Sequence, residues 1–171
     1  MKKEIHNIAP IFDSNSRILI LGSFPSKKSR EAQFYYAHKR NRFWKTISRI
    51  CSYNIPETEN EKRNLLLENR IALWDVVESC SIKGSNDASL SDVVINDVGL
   101  IIERSDIEAI FCNGRKSAEL YKKHLYDSIQ IEAIVLPSTS PANASFSDDD
   151  LYQAWNDKLN TYLQSLVWDN C

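Results

Sequence analysis

Four short stretches of this chain bring together residue types that can hold a planar polar ring and the phosphates beside it. They read GSFPS from Gly22, DVVESC from Asp75, CNG from Cys112 and LPSTSPANASFS from Leu136, and each follows an apolar run. They supply small residues, hydroxyls, amides and aromatic rings. They lack a P-loop lysine, a G-x-S-x-G elbow and a G-x-G-x-x-G, so nucleoside triphosphate hydrolysis, serine esterase chemistry and dinucleotide binding lose their usual support. Nor is there a local pair of histidines or acids to bind a metal ion.

Between the first of these stretches and the next helical pattern lie 18 residues, Ser23 to Arg40, that fit neither a strand nor a helix and are loaded with aromatic and basic side chains. The formal net charge of −2 argues against a protein that coats nucleic acid through bulk electrostatics. The distribution of charge changes that reading. Eight basic residues (Lys27, Lys28, Arg30, Lys39, Arg40, Arg42, Lys45, Arg49) face one acid, Glu31, in the same stretch, while the rest of the chain is acidic. Such a run is either a phosphate-facing patch or a solvated face.

The apolar patterns define the elements that must position these groups. Strands are expected at residues 17–21, 71–77, 108–113 and 131–137. Helices are expected at 41–51, 57–70, 96–104, 114–127 and 148–167, the last with acids at its N-terminus, where the helix dipole favours them. Residues 78–92 read as a polar loop. Strands alternating with helices imply an α/β fold with a parallel sheet, whose ligands bind beyond the C-terminal strand ends. With 171 residues, 43% of them hydrophobic, one domain is expected over 1–171, its core at about 17–167. No apolar run suggests a membrane span or secretory signal, so a cytoplasmic protein, nucleoid-associated when on DNA, is expected. The cysteines at 51, 80, 112 and 171 are isolated and read as reduced thiols.

Taken together, LGSFPSKKSREAQFYYAHKRNRFW, ALWDVVESCSIKGSNDASL, FCNGRKSAELY and LPSTSPANASFS resemble the uracil-DNA glycosylase superfamily, and most closely its hypoxanthine-DNA glycosylase branch. The resemblance implies a three-layer α/β/α fold with a four-stranded parallel sheet. It implies a monofunctional, monomeric glycosylase that uses no metal or cofactor and acts on single- or double-stranded DNA containing a damaged base. The long loop would wall a pocket for a base flipped out of the stack. By the same resemblance Gly22, Ser23 and Phe24 line that pocket, and Phe34, Tyr35 and Tyr36 are stacking candidates, with core packing the other reading of the three rings. Asn113 would meet the base edge with a donor and an acceptor, although the residue also suits a turn before Gly114. Asn41 corresponds to the branch's catalytic asparagine, whose amide oxygen orients a water; it is also a good helix N-cap. His38, Arg40 and Arg42 are DNA-contact candidates. Ser138, Thr139 and Ser140 could grip phosphate, and the segment from Asn143 to Phe146 could fill the gap left by the flipped base, or the whole loop could be an ordinary Ser/Pro/Asn turn.

Two departures from the superfamily pattern bear on activity. Leu136 stands where several branches have a histidine that stabilises anionic uracil, and Lys39 stands where the branch is expected to have proline. The expected function is release of a deaminated base, hypoxanthine foremost, to leave an abasic site. The alternatives are a mismatch-type uracil-DNA glycosylase and a non-catalytic binder of nucleotides or single strands on the same fold.

Overall fold

The run ILILG has no polar residue and no alternation, the pattern of a strand covered on both faces. In the computed structural model, which describes residues 2–82 and 90–169, it forms β2 (Ile18–Gly22), buried throughout. Three further strands, β3 (Ile71–Asp75), β6 (Ala109–Asn113) and β7 (Ala133–Leu136), lie parallel with it in the order β3-β2-β6-β7. The register pairs Gly22 with Asp75 and Asn113 with Leu136, so the C-terminal strand ends finish at one level. Residues ahead of β2 protect the outer edge of β3: Ile11 and Leu73 exchange backbone hydrogen bonds, and the Trp74 indole N–H donates to the Ile8 carbonyl.

Helices pack on this sheet to complete the α/β/α arrangement expected from the sequence. α2 (Phe43–Ile50) buries Phe43, Trp44 and Ile47 and packs against α7 (Asp148–Asp169). α3 (Glu59–Glu68) starts with a capping box between Thr58 and Glu61 and packs on β3. α5 (Arg115–His124) packs on β6 and β7, and the Ser117 hydroxyl donates to the Leu21 carbonyl in β2. The fully buried Trp155 of α7 donates its indole N–H to the Pro137 carbonyl at 2.9 Å, docking that helix onto the loop after β7.

Several boundaries differ from the sequence reading. The loop over 23–40 contains a short helix, α1 (Lys27–Ala32), capped by the Ser26 hydroxyl and stopped by Gln33 in the left-handed region. The expected helix at 114–127 divides at Leu125 into α5 and α6 (Tyr126–Ile129), and the one at 96–104 is shortened to α4 (Gly99–Arg104). The larger correction concerns the stretch read as a polar loop. There the chain forms β4 (Val77–Ile82) and β5 (Leu90–Ile95), which join β1 (Lys2–Ile5) in an antiparallel sheet of order β1-β4-β5. The middle of that stretch, 83–89, lies outside the described residues. β4 pairs with a strand more than seventy residues earlier, and no local pattern announces such a partner.

His6 ties the second sheet to the first. It is buried, its Nδ1 accepts from the Ile8 N–H and its Nε2–H donates to the Val77 carbonyl at 2.6 Å. Burial holds its pKa below the ordinary value of 6.5. The unfolded chain therefore takes up a proton at a higher pH than the folded one, so His6 contributes stability above about pH 6.5 that is lost as pH falls through the lower folded value. Urea denaturation between pH 7.5 and 5 should show stability falling with pH, with a flatter dependence in His6→Gln. Equal slopes would show that another group sets the dependence.

Candidate active site

The level strand ends open into a cavity of about 920 Å³. Its floor is built by Gly22, Asp75 and Asn113, the last residues of β2, β3 and β6. Gly22 is required there by space: a Cβ would stand 2.3 Å from Asp75 Oδ1 and 3.1 Å from the Tyr36 hydroxyl. One wall comes from the second sheet through Glu4, Ile5, Ile82 and Leu90, and another from Ser23, Phe24 and α1. Tyr36, Asn41 and Ser138 to Ser140 close the remaining side.

A continuous hydrogen-bond chain joins the two asparagines through Thr139, which is fully buried. The Thr139 N–H donates to Asn113 Oδ1 at 3.0 Å, and Asn113 Nδ2 donates back to the Thr139 hydroxyl at 3.0 Å and to the Tyr36 hydroxyl at 3.1 Å. The Thr139 hydroxyl in turn donates to Asn41 Oδ1 at 2.9 Å. Asn41 Oδ1 also accepts the Phe43 N–H at 2.9 Å, a local turn just ahead of α2, whose N-cap is Arg42 and not Asn41 as the sequence had suggested. Upstream, the His38 carbonyl accepts the Asn41 N–H and His38 Nδ1 accepts the Arg40 N–H, which folds residues 38–41 into the turn that presents Asn41.

The three consecutive aromatics are sorted by this geometry. Phe34 lies in the core, stacked on Trp44 with centroids 6.1 Å apart, and does not line the cavity. Tyr35 reaches the cavity wall but is almost wholly buried, and its hydroxyl donates to the Ala9 carbonyl; burial and then the Asp75 carboxylate push its pKa up. Tyr36 brings its hydroxyl to Asn113, with its ring stacked on Phe43 at 4.2 Å and its backbone at φ 51°, a left-handed conformation uncommon for a bulky residue.

The loop after β7 is cross-braced. Asn143 Nδ2 donates to the Ser138 carbonyl, and the Ser138 hydroxyl accepts the Ser140 N–H. Arg42 donates from its two terminal nitrogens to the Asn143 and Phe146 carbonyls, and its backbone N–H donates to the Thr139 carbonyl.

Residues 9–164 match the family described as the Uracil DNA glycosylase superfamily. The chain belongs to this superfamily. It is 39% identical over 139 residues to a protein named Hypoxanthine DNA glycosylase from Methanosarcina acetivorans, covering 80% of this chain and 87% of that relative. A protein of the same name from Methanosarcina barkeri is 31% identical over 145 residues, covering 84% and 89% of the two chains. A solution NMR structure of a Methanosarcina acetivorans protein, provisionally named a uracil DNA glycosylase, matches with a TM-score of 0.79 at 35% identity, covering 93% of this chain and 98% of that one.

Within this member of the superfamily the sequence candidates divide into three groups. Gly22, Ser23, Phe24, Tyr35, Tyr36, Asn41, Asn113, Ser138, Thr139 and Ser140 share the cavity. Phe34, Arg42 and Asn143 support it from behind, while half-buried His38 and exposed Arg40 lie in the turn before Asn41 and do not line it. The basic run is likewise split. Lys45 pairs with Asp148 and Arg49 with Asp149 at the N-terminus of α7, whereas Lys27, Lys39 and Arg40 have no ion pair among the described residues. Among the described residues, no group of three metal-ligating side chains occurs, and no helix is long and apolar enough to cross a membrane.

Sequence reasoning passed over Asp75, whose carboxylate is 4% exposed on the cavity floor. Its signal was an acid inside IALWDVV, where every neighbour is apolar. Gly22→Ala would force its new methyl into that carboxylate, so this variant should lose about 1 to 3 kcal/mol of stability. Chemical denaturation of variant and wild type checks this, and an unchanged midpoint would mean that Asp75 moves aside freely.

Proposed function

We propose that this superfamily member is a monofunctional DNA glycosylase, a single catalytic domain acting as a monomer, that hydrolyses the N-glycosidic bond of hypoxanthine flipped out of DNA. The observation that carries this reading is the convergence of the Asn41 and Asn113 amides on one cavity at the strand ends. The names of the two relatives support the choice of base.

Extruding a base costs a few kcal/mol, and a damaged or mismatched base costs least. The extruded ring would enter beside Phe24 and Tyr36, with its polar edge toward Asn113. The six-oxo purine offers a carbonyl acceptor and a ring N–H donor on that edge. Its carbonyl can take the Asn113 Nδ2 proton now given to Tyr36, and an adenine amino group cannot. A mismatch of that kind leaves buried polar groups unpaired at about 1 to 3 kcal/mol each. Cleavage then builds positive charge on the sugar and negative charge on the departing base, and Asn41 stands at that reaction centre.

Two experiments address this reading. Under enzyme excess, a duplex carrying one inosine should be converted to an abasic product, with release from an adenine control slower by roughly ten- to a hundredfold. Uracil and xanthine duplexes assayed in parallel rank the bases. Faster uracil release would favour a uracil glycosylase, and retarded mobility without any abasic product would favour a binder.

The second experiment concerns the strand. Arg40→Ala should weaken binding to damaged and undamaged duplexes alike and reduce the slope of log K against log salt by about one. Arg42→Ala should leave that slope in place and lower the cleavage rate, because Arg42 holds the loop that carries Thr139. A lowered slope in Arg42→Ala would instead place its guanidinium on phosphate.

A further inference from the structure

Asn41 is held by its oxygen. A backbone N–H can only donate, so the atom that meets the Phe43 N–H at 2.9 Å is the amide oxygen and not the nitrogen. The second contact, from the Thr139 hydroxyl at 2.9 Å, has its direction set from the other end of the chain of bonds. The Thr139 N–H identifies Asn113 Oδ1, which makes the atom facing the Thr139 hydroxyl a donor, Asn113 Nδ2. Having accepted there, the hydroxyl has its single proton left for Asn41. Two backbone N–H groups thereby set the polarity of the whole network.

Both lone pairs of Asn41 Oδ1 are engaged in consequence. Asn41 Nδ2 makes no hydrogen bond to the described residues and is not among their buried, unsatisfied atoms, and the residue lines the cavity. The part of Asn41 that a substrate meets is a donor.

The geometry points to Asn41 acting through Nδ2 as a hydrogen-bond donor to the departing base, with Thr139 as the positioning residue that locks the amide in this orientation. The inference deepens the glycosylase reading and rests on it. It differs from an amide that orients water through its oxygen, since that oxygen already accepts two hydrogen bonds within the protein. In the hydrolysis the C1′–N9 bond breaks with its electron pair leaving on the purine. The water oxygen bonds to C1′, and a water proton ends on the released base. Negative charge on the purine is greatest while the bond is breaking, so a donor placed there is stronger in the transition state than in the ground state. Thr139 is fully buried and acts only through its neighbours.

Asn41→Asp separates a donor from an acceptor. An aspartate keeps an oxygen for the Phe43 N–H and the Thr139 hydroxyl, so the turn leading into α2 is retained, and the cavity-facing atom changes from donor to acceptor. Single-turnover release from an inosine duplex should fall about 100-fold or more, with the melting temperature and duplex Kd near wild type. The residual rate should rise as pH is lowered from 7.5 to 5.5, toward tenfold per unit, because the protonated acid regains a donor. Thr139→Val, which removes the hydroxyl at constant shape, should lower the rate several-fold to about tenfold, and Thr139→Ser should restore it.

An Asn41→Asp enzyme that matches or exceeds wild type, or whose rate climbs with pH, overturns the donor role, because a carboxylate would then be serving the water. A Thr139→Val defect that serine does not rescue overturns the positioning role. Wild-type protein that releases no base from inosine, xanthine or uracil duplexes overturns the glycosylase reading and this inference with it, a result distinct from either variant's behaviour.

Discussion

Thr139 has no access to water, so its hydroxyl and its N–H must both be bonded within the protein or leave an unpaired polar group at a cost of about 1 to 3 kcal/mol. Each available partner comes from a different part of the chain: Asn113 from the end of β6 and Asn41 from the turn before α2. Meeting that one requirement brings three separated segments to a common point. Trp155 and Arg42 act in the same direction, since both bond to carbonyls of the loop that carries Thr139. The loop after β7 has the composition of an irregular turn and the bonding of a core element.

The distribution of charge follows from the packing of α2 on α7. The acids of the first turn of α7 stabilise that helix terminus and also meet Lys45, Arg49 and Arg42. Surface pairs of this kind contribute little to stability, but they remove cations from the field a nucleic acid would meet. Among the described residues near the cavity, the cations left without an ion pair are Lys27 at the start of α1 and Lys39 and Arg40 in the turn at 38–41. This suits weak, salt-sensitive contact with DNA ahead of recognition in the cavity.

The second sheet gives the cavity its depth. β4 continues directly from β3, and its pairing with β1 carries the N-terminal strand to the mouth of the parallel sheet. His6, neutral and hydrogen-bonded through both ring nitrogens, makes an edge-to-face contact with Phe24, the ring centroids 5.4 Å apart.

How much of this could be read from the sequence depends on the range of the interaction involved. The parallel strands were legible because burial on both faces demands continuous apolar runs, and Ile18 to Leu21 or Ile110 to Cys112 can be little else. The convergence of the strand ends followed from that topology and put Gly22, Asn113 and Thr139 at one edge, whereas Asn41, which follows no strand, was named only through the family resemblance. The antiparallel sheet was not legible, since β4 is held by a partner far along the chain and its short mixed sequence has no period of its own. Tyr36 and Phe34 are neighbours but one in the sequence, yet only packing against Phe43 and Trp44 sends one to the cavity and the other to the core. Arg42, read from the sequence as a phosphate contact or part of a solvated face, bonds loop carbonyls instead, which only the position of the loop after β7 could reveal. The sequence by itself determined the α/β fold and the residue types gathered at the strand ends, because both rest on local burial pattern and chemistry. The tertiary structure decided which atom of each amide faces the cavity, because the Thr139 N–H and hydroxyl meet Asn113 and Asn41 only after the chain has folded.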